Sequence, residues 1–178
     1  MSLKKIKTIG IFIIFFFCFF THFVYVWFPS FFTSLFFPVN ESIWEHMKML
    51  ICAIIIWEFL EFLILKHFDI YFNNFVFAVF IMCFLSIIVF IIVYYPIYLV
   101  LSSSFLFNII CLFITIYFVS VVGYYIMKQS HIKYGFVIGI VGIIFLYVLF
   151  GLLTYFPIKN NLFVDPRYNA CGLLDISK

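Results

Sequence analysis

"IGIFIIFFFCFFTHFVYVWF", Ile9 to Phe28, contains no Asp, Glu, Lys or Arg, and its length decides the class of fold. At a rise of about 1.5 Å per residue, such a helix crosses the roughly 30 Å hydrocarbon layer of a bilayer. Lys4, Lys5 and Lys7 precede it in the manner of a signal peptide. The run is too long for one, however, and has no Ala-x-Ala exit, so we read it as a retained first span. Working outward, comparable runs cover Met47–Leu65, Phe75–Tyr95 (stopping at Pro96), Ser104–Met127 and Gly135–Phe156. The expected fold is all-α: a single membrane domain over residues 1–178, built as a polytopic bundle of about five membrane-spanning helices. "FPSFFTSLFFP", Phe28 to Pro38, is too short to span and reads as an interfacial or re-entrant segment between the first two spans.

Composition agrees. The 178 residues are 68% hydrophobic and only 10% charged, with a mean hydropathy of +1.30, whereas soluble domains are about a quarter charged. The surroundings must be a lipid bilayer. A net charge of +3 without a basic, aromatic-interleaved stripe excludes nucleic acid as a partner. Five cysteines, mostly inside apolar runs and without a C-x-x-C pair, describe neither a disulfide framework nor a zinc knuckle.

Orientation follows from the positive charges. Five spans with the N-terminus inside put Lys4, Lys5, Lys7, Lys66, Lys128 and Lys133 on the inner side, and Lys48, Lys159, Arg167 and Lys178 outside. The expectation is a multi-pass cell-membrane protein with a cytoplasmic N-terminus and an extracytoplasmic C-terminus. The outer side then collects His22, the 40–46 segment, Ser102 to Ser104, Asn108 and the tail with Asp165. That tail, residues 157–178, shows turn signals but no period, leaving open a folded cap over the bundle or an unstructured end.

"NESIWEH", Asn40 to His46, is the densest polar stretch. Ser42-Ile43-Trp44-Glu45 fits an S-x-x-E capping box, and Trp44 suits an interfacial anchor. On a helical wheel Glu41, Glu45, Lys48 and Cys52 share one side, while His46 lies with Ser42. A cap requires neither His22 nor His46, and an imidazole near the interface needs a partner. The candidate catalytic residues are therefore His22, Glu45, His46 and Asp165, with Asn40 and Glu41 as binding residues. A divalent metal held by His22 and His46 is the one cofactor these residues suggest. Pairing His46 with Cys52 as a nucleophile is disfavoured, because the thiol sits in an apolar run.

Glu58 and Glu61 form a second candidate binding pair, since acids within a membrane span are costly and mark function by default. In the bland alternative, Glu61 reaches the inner interface near Lys66. Gly135, Gly139 and Gly142 give the last span a smooth face for packing inside the bundle or against a second copy.

"PVNESIWEH", Pro38 to His46, resembles the signature of an uncharacterised family of small bacterial integral membrane proteins, and "LFVDP", Leu162 to Pro166, is similar to a segment near the end of its members. The tail departs from that family where a double proline and a Tyr-Gly pair are expected. The resemblance implies a polytopic helical fold and points to Asn40, Glu41, Glu45, His46 and Asp165, but supplies no reaction. Three functions stay open: a membrane-embedded enzyme acting on a lipid or envelope substrate at the outer face; a small transporter, channel or ion-binding protein using Glu58 and Glu61; and a noncatalytic accessory subunit docking a membrane-protein partner or a second copy.

Overall fold

The computed structural model describes residues 2–101 and 105–173. Ser102 to Ser104, expected on the polar face and at the start of the fourth span, lie outside them. Six helices follow in order: α1 (Leu3–Trp27), α2 (Phe31–Phe36), α3 (Ile43–His67), α4 (Phe75–Leu101), α5 (Phe105–Lys128) and α6 (Gly135–Tyr155). A two-residue hairpin, β1 (Val164–Asp165) and β2 (Ala170–Cys171), pairs antiparallel with Asp165 opposite Ala170. The expected all-α class is the observed one.

Four helices, α1, α4, α5 and α6, are long and apolar enough to cross a membrane. The five expected spans differ from this at α3, which matches α1 in length but carries Glu45, Lys48, Glu58, Glu61 and Lys66. The structure turns this charge inward. Of the 25 residues of α3, 14 are buried, against 6 of 21 in the uncharged α6. The most charged helix is the most enclosed, and the uncharged α6 faces outward over most of its length. Lipid as solvent demands that arrangement, because each charge must find its partner inside the protein.

Two buried ion pairs do the enclosing. Lys7 of α1 reaches Glu58 at 2.7 and 2.8 Å and Glu61 at 3.1 Å, while Trp57 Nε1 donates to Glu61 Oε2 at 2.9 Å. Lys7 was expected on the inner side; its long stem instead carries the ammonium to two carboxylates that have no other cation among the described residues. Gly10 makes the approach of α1 and α3 possible, since a Cβ there would fall 2.3 Å from Trp57 Nε1. At the other end Lys48, expected outside, is fully buried. It pairs with Glu45 and donates to Ser34 O (2.7 Å) and Thr154 Oγ1 (2.9 Å). Thr154 in turn donates to Glu45 Oε1 at 2.7 Å. One ion pair thus pins α2 and α6 to the start of α3.

The remaining elements fall around this frame. The 29–40 segment forms only the six-residue α2, capped reciprocally by Ser30 and Thr33 and tied to α6 by Ser34 Oγ and Tyr155 OH at 2.7 Å. The glycine face of α6 lies against α4, where a Cβ on Gly139 would meet Val76 O at 2.6 Å. Pro96 does not stop α4, which continues to Leu101. An apolar helix tolerates the missing N–H when neighbours hold it, and Tyr94 beside Pro96 stacks on Phe90, Tyr98 and Phe107 of α5. The described part of the tail, residues 157–173, adopts the capping alternative, and 174–178 lie outside the described residues. Trp44, expected as an interfacial anchor, is sandwiched between Phe150 (4.4 Å) and Phe163 (4.9 Å), and its backbone N–H donates to Leu162 O at 2.9 Å.

Candidate functional site

The start of α3 sets the geometry. Ser42 is its N-cap, with Oγ accepting from Glu45 N at 3.3 Å. The reciprocal half of a capping box does not form. Asn40 Oδ1 takes the Ser42 N–H at 2.9 Å, and the Glu45 carboxylate takes Val39 N–H at 3.1 Å. The helix therefore begins after Glu41. The wheel that grouped Glu41 with Glu45 extended a helical period into residues that are not helical, and the two acids point to different places.

Glu41 goes to the histidines. A register lock precedes this: Thr21 Oγ1 of α1 bonds Met49 O of α3 at 3.1 Å, setting the neighbouring His22 against His46. The two Nε2 atoms lie 3.2 Å apart. Glu41 Oε2 is 3.3 Å from His46 Nε2 and 3.4 Å from His22 Nε2. The His46 Nδ1 atom sits 2.8 Å from Ser42 O. A carbonyl can only accept, so this nitrogen carries the proton, and in the neutral ring Nε2 presents a lone pair. With Nε2 protonated, hydrogen bonds from His22 and then His46 hold the Glu41 carboxyl well below the usual carboxylate range, outweighing its partial burial.

Asp165 is not a fourth member of that group. Its carboxylate accepts from Glu41 N (3.0 Å), Arg167 N (2.8 Å) and Arg167 Nη2 (3.1 Å). Burial alone would raise its carboxyl; the Arg167 side chain and those two backbone N–H groups bring it below the ordinary range. Asp165 therefore brackets the Glu41 loop to the tail. Arg167 Nη1 approaches the second Glu41 oxygen at 3.5 Å. Asn40 contacts Gly172 O at 3.5 Å, Glu45 is committed to Lys48, and Glu58 and Glu61 are closed on Lys7 near the far end of α3.

His22, Glu41 and His46 line one wall of a cavity of about 380 Å³. Its other walls are apolar and aromatic: Phe19, Phe23, Phe90, Tyr94, Tyr98 and Leu112, with Val164 and Pro166 of the tail at the edge. Asn108 lines it too, and its Oδ1 is buried without a partner among the described residues. Sequence reasoning missed Arg167, Tyr94, Lys7, Lys48 and Thr154 as partners. Only Lys48 carried a local signal, three residues after Glu45 on one helix face.

A family model described as "Family of unknown function (DUF6512)" matches residues 1–173, and the chain belongs to this family. No curated protein and no solved structure matches it.

Proposed function

We propose that this member of DUF6512 is an integral membrane enzyme acting on an amphiphilic substrate, a lipid or lipid-linked envelope component, with His22, His46 and Glu41 as its reactive group. One observation carries the reading: a hydrogen-bonding His-His-Glu triangle opens into a cavity whose remaining walls are apolar and aromatic. Such a cavity accepts an acyl or prenyl chain and presents the polar junction of the same molecule to the triangle. His22 lies near the end of α1 and His46 near the start of α3, and helix ends of a membrane bundle are where the headgroup and chain of a lipid would meet.

In this reading α3 crosses the membrane as a fifth span, with Glu45 and Lys48 balancing each other and Lys7 shared as one cation between Glu58 and Glu61. With Lys7 and Lys48 buried, the positive-inside comparison rests on Lys4, Lys5, Lys66, Lys128 and Lys133 against Lys159, Arg167 and Lys178. That bias supports a cytoplasmic N-terminus and a cavity on the extracytoplasmic side of a cell membrane. Glu58 and Glu61, each held by Lys7 outside this cavity, act as structural charges.

A photoreactive long-chain fatty acid in reconstituted vesicles tests the reading. We expect crosslinks on Phe19, Phe23, Phe90 or Leu112, competed by excess long-chain lysophospholipid. Labelling confined to outward-facing side chains such as Phe16 and Ile144 would remove the cavity from consideration.

A further inference from the structure

With the His46 proton on Nδ1, the His22, His46 and Glu41 triangle holds more lone pairs than protons, an arrangement that a cation satisfies. His46 Nε2 offers a lone pair, Glu41 Oε2 is a carboxylate oxygen, and His22 Nε2 completes a triangle with edges of 3.2, 3.3 and 3.4 Å. One proton on His22 Nε2 satisfies one edge only. Around a tetrahedral ion with metal–ligand bonds of about 2.0–2.1 Å, any two ligand atoms lie about 3.3–3.4 Å apart, whereas neighbours at right angles would lie about 2.9 Å apart. The observed triangle has the dimensions of one tetrahedral face.

We infer that His22 Nε2, His46 Nε2 and Glu41 Oε2 form a divalent-cation site of the zinc class. Two imidazoles and one carboxylate suit that ion. The surroundings orient two of the three ligands: the Ser42 carbonyl fixes the His46 tautomer, and Arg167 and the Asp165 bracket orient Glu41, while His22 Nδ1 is buried without a partner among the described residues. Because all three ligands line the cavity, the fourth corner faces it, and three protein ligands with one open position mark a catalytic rather than a structural zinc site. There the ion would polarise a carbonyl or phosphoryl oxygen of the bound amphiphile and acidify a coordinated water. The inference rests on the proposed site for its purpose, but metal binding is measurable without any substrate.

The test uses the full chain in detergent, stripped with chelator and titrated with zinc or cobalt(II). One equivalent should bind, and the cobalt form should show the intense visible bands of four-coordination. Affinity should fall about 100-fold or more in Glu41→Gln, beyond the 10–100-fold typical of losing an outer-shell partner. His46→Ala should abolish stoichiometric binding, while His67→Ala at the far end of α3 should retain it. Should the His46 variant not fold, the wild-type cobalt spectrum and the Glu41→Gln titration decide alone. Substoichiometric uptake by wild type, full uptake by both ligand variants, or a six-coordinate cobalt spectrum would each overturn the site. Fatty-acid labelling of a metal-free cavity would sink the metal and leave the enzyme reading standing; metal without labelling would do the reverse.

Discussion

Lys7 illustrates how single residues govern this protein. Its ammonium is shared between Glu58 and Glu61, all three being almost fully buried. Removing the cation leaves two carboxylates facing each other without compensation, a loss on the order of 3–5 kcal/mol. We expect Lys7→Met to unfold at markedly lower denaturant in a reversible detergent titration. The triple variant Lys7→Met, Glu58→Gln, Glu61→Gln should recover most of the loss, because exchanging a whole buried charge group for neutral residues is far cheaper than breaking it. A triple variant as unstable as Lys7→Met would show that some other contact of Lys7 dominates. The contrast with His46 is instructive. The Ser42 carbonyl satisfies its Nδ1 and leaves Nε2 directed at Glu41 Oε2 and His22 Nε2.

At the level of elements, the start of α3 is where separate parts of the chain are joined. Trp44 lies between Phe150 of α6 and Phe163 of the tail, and its backbone N–H holds Leu162. Truncating a fully buried aromatic costs about 3–5 kcal/mol; Trp44 is half-buried, so the loss falls toward the lower end of that range, with both stacking faces lost together. Trp44→Ala should release the tail, seen as rapid tryptic cleavage after Arg167, which is exposed yet held through Asp165. Unchanged cleavage would mean that the Asp165 bracket suffices alone. The tail is also the element least legible beforehand. Its turn residues forecast reversals, but nothing local forecast that Asp165 would bind the Glu41 N–H 124 residues earlier in the chain.

For the whole molecule, the decisive question is whether α3 crosses the bilayer. If it does, the chain has five crossings and its termini lie on opposite sides. Reporter fusions at both ends should therefore report a cytoplasmic N-terminus and an exported C-terminus. Termini on one side would return α3 to an internal, non-spanning role and remove the outward placement of the cavity.

The sequence by itself determined the solvent and hence the class. Apolar runs of about twenty residues and a scarcity of charge leave only helices that satisfy their own backbone groups within lipid. It also marked where polar chemistry would concentrate, since in such a chain every His, Glu and Asp stands out. Only the tertiary structure decided the partners. Glu45 and Glu41, four residues apart, went to a lysine and to two histidines because the helix begins between them. His22 met His46 through the packing of α1 on α3. Those outcomes depend on where a helix starts and on how two helices lie in register, quantities set by contacts between distant segments rather than by any local pattern.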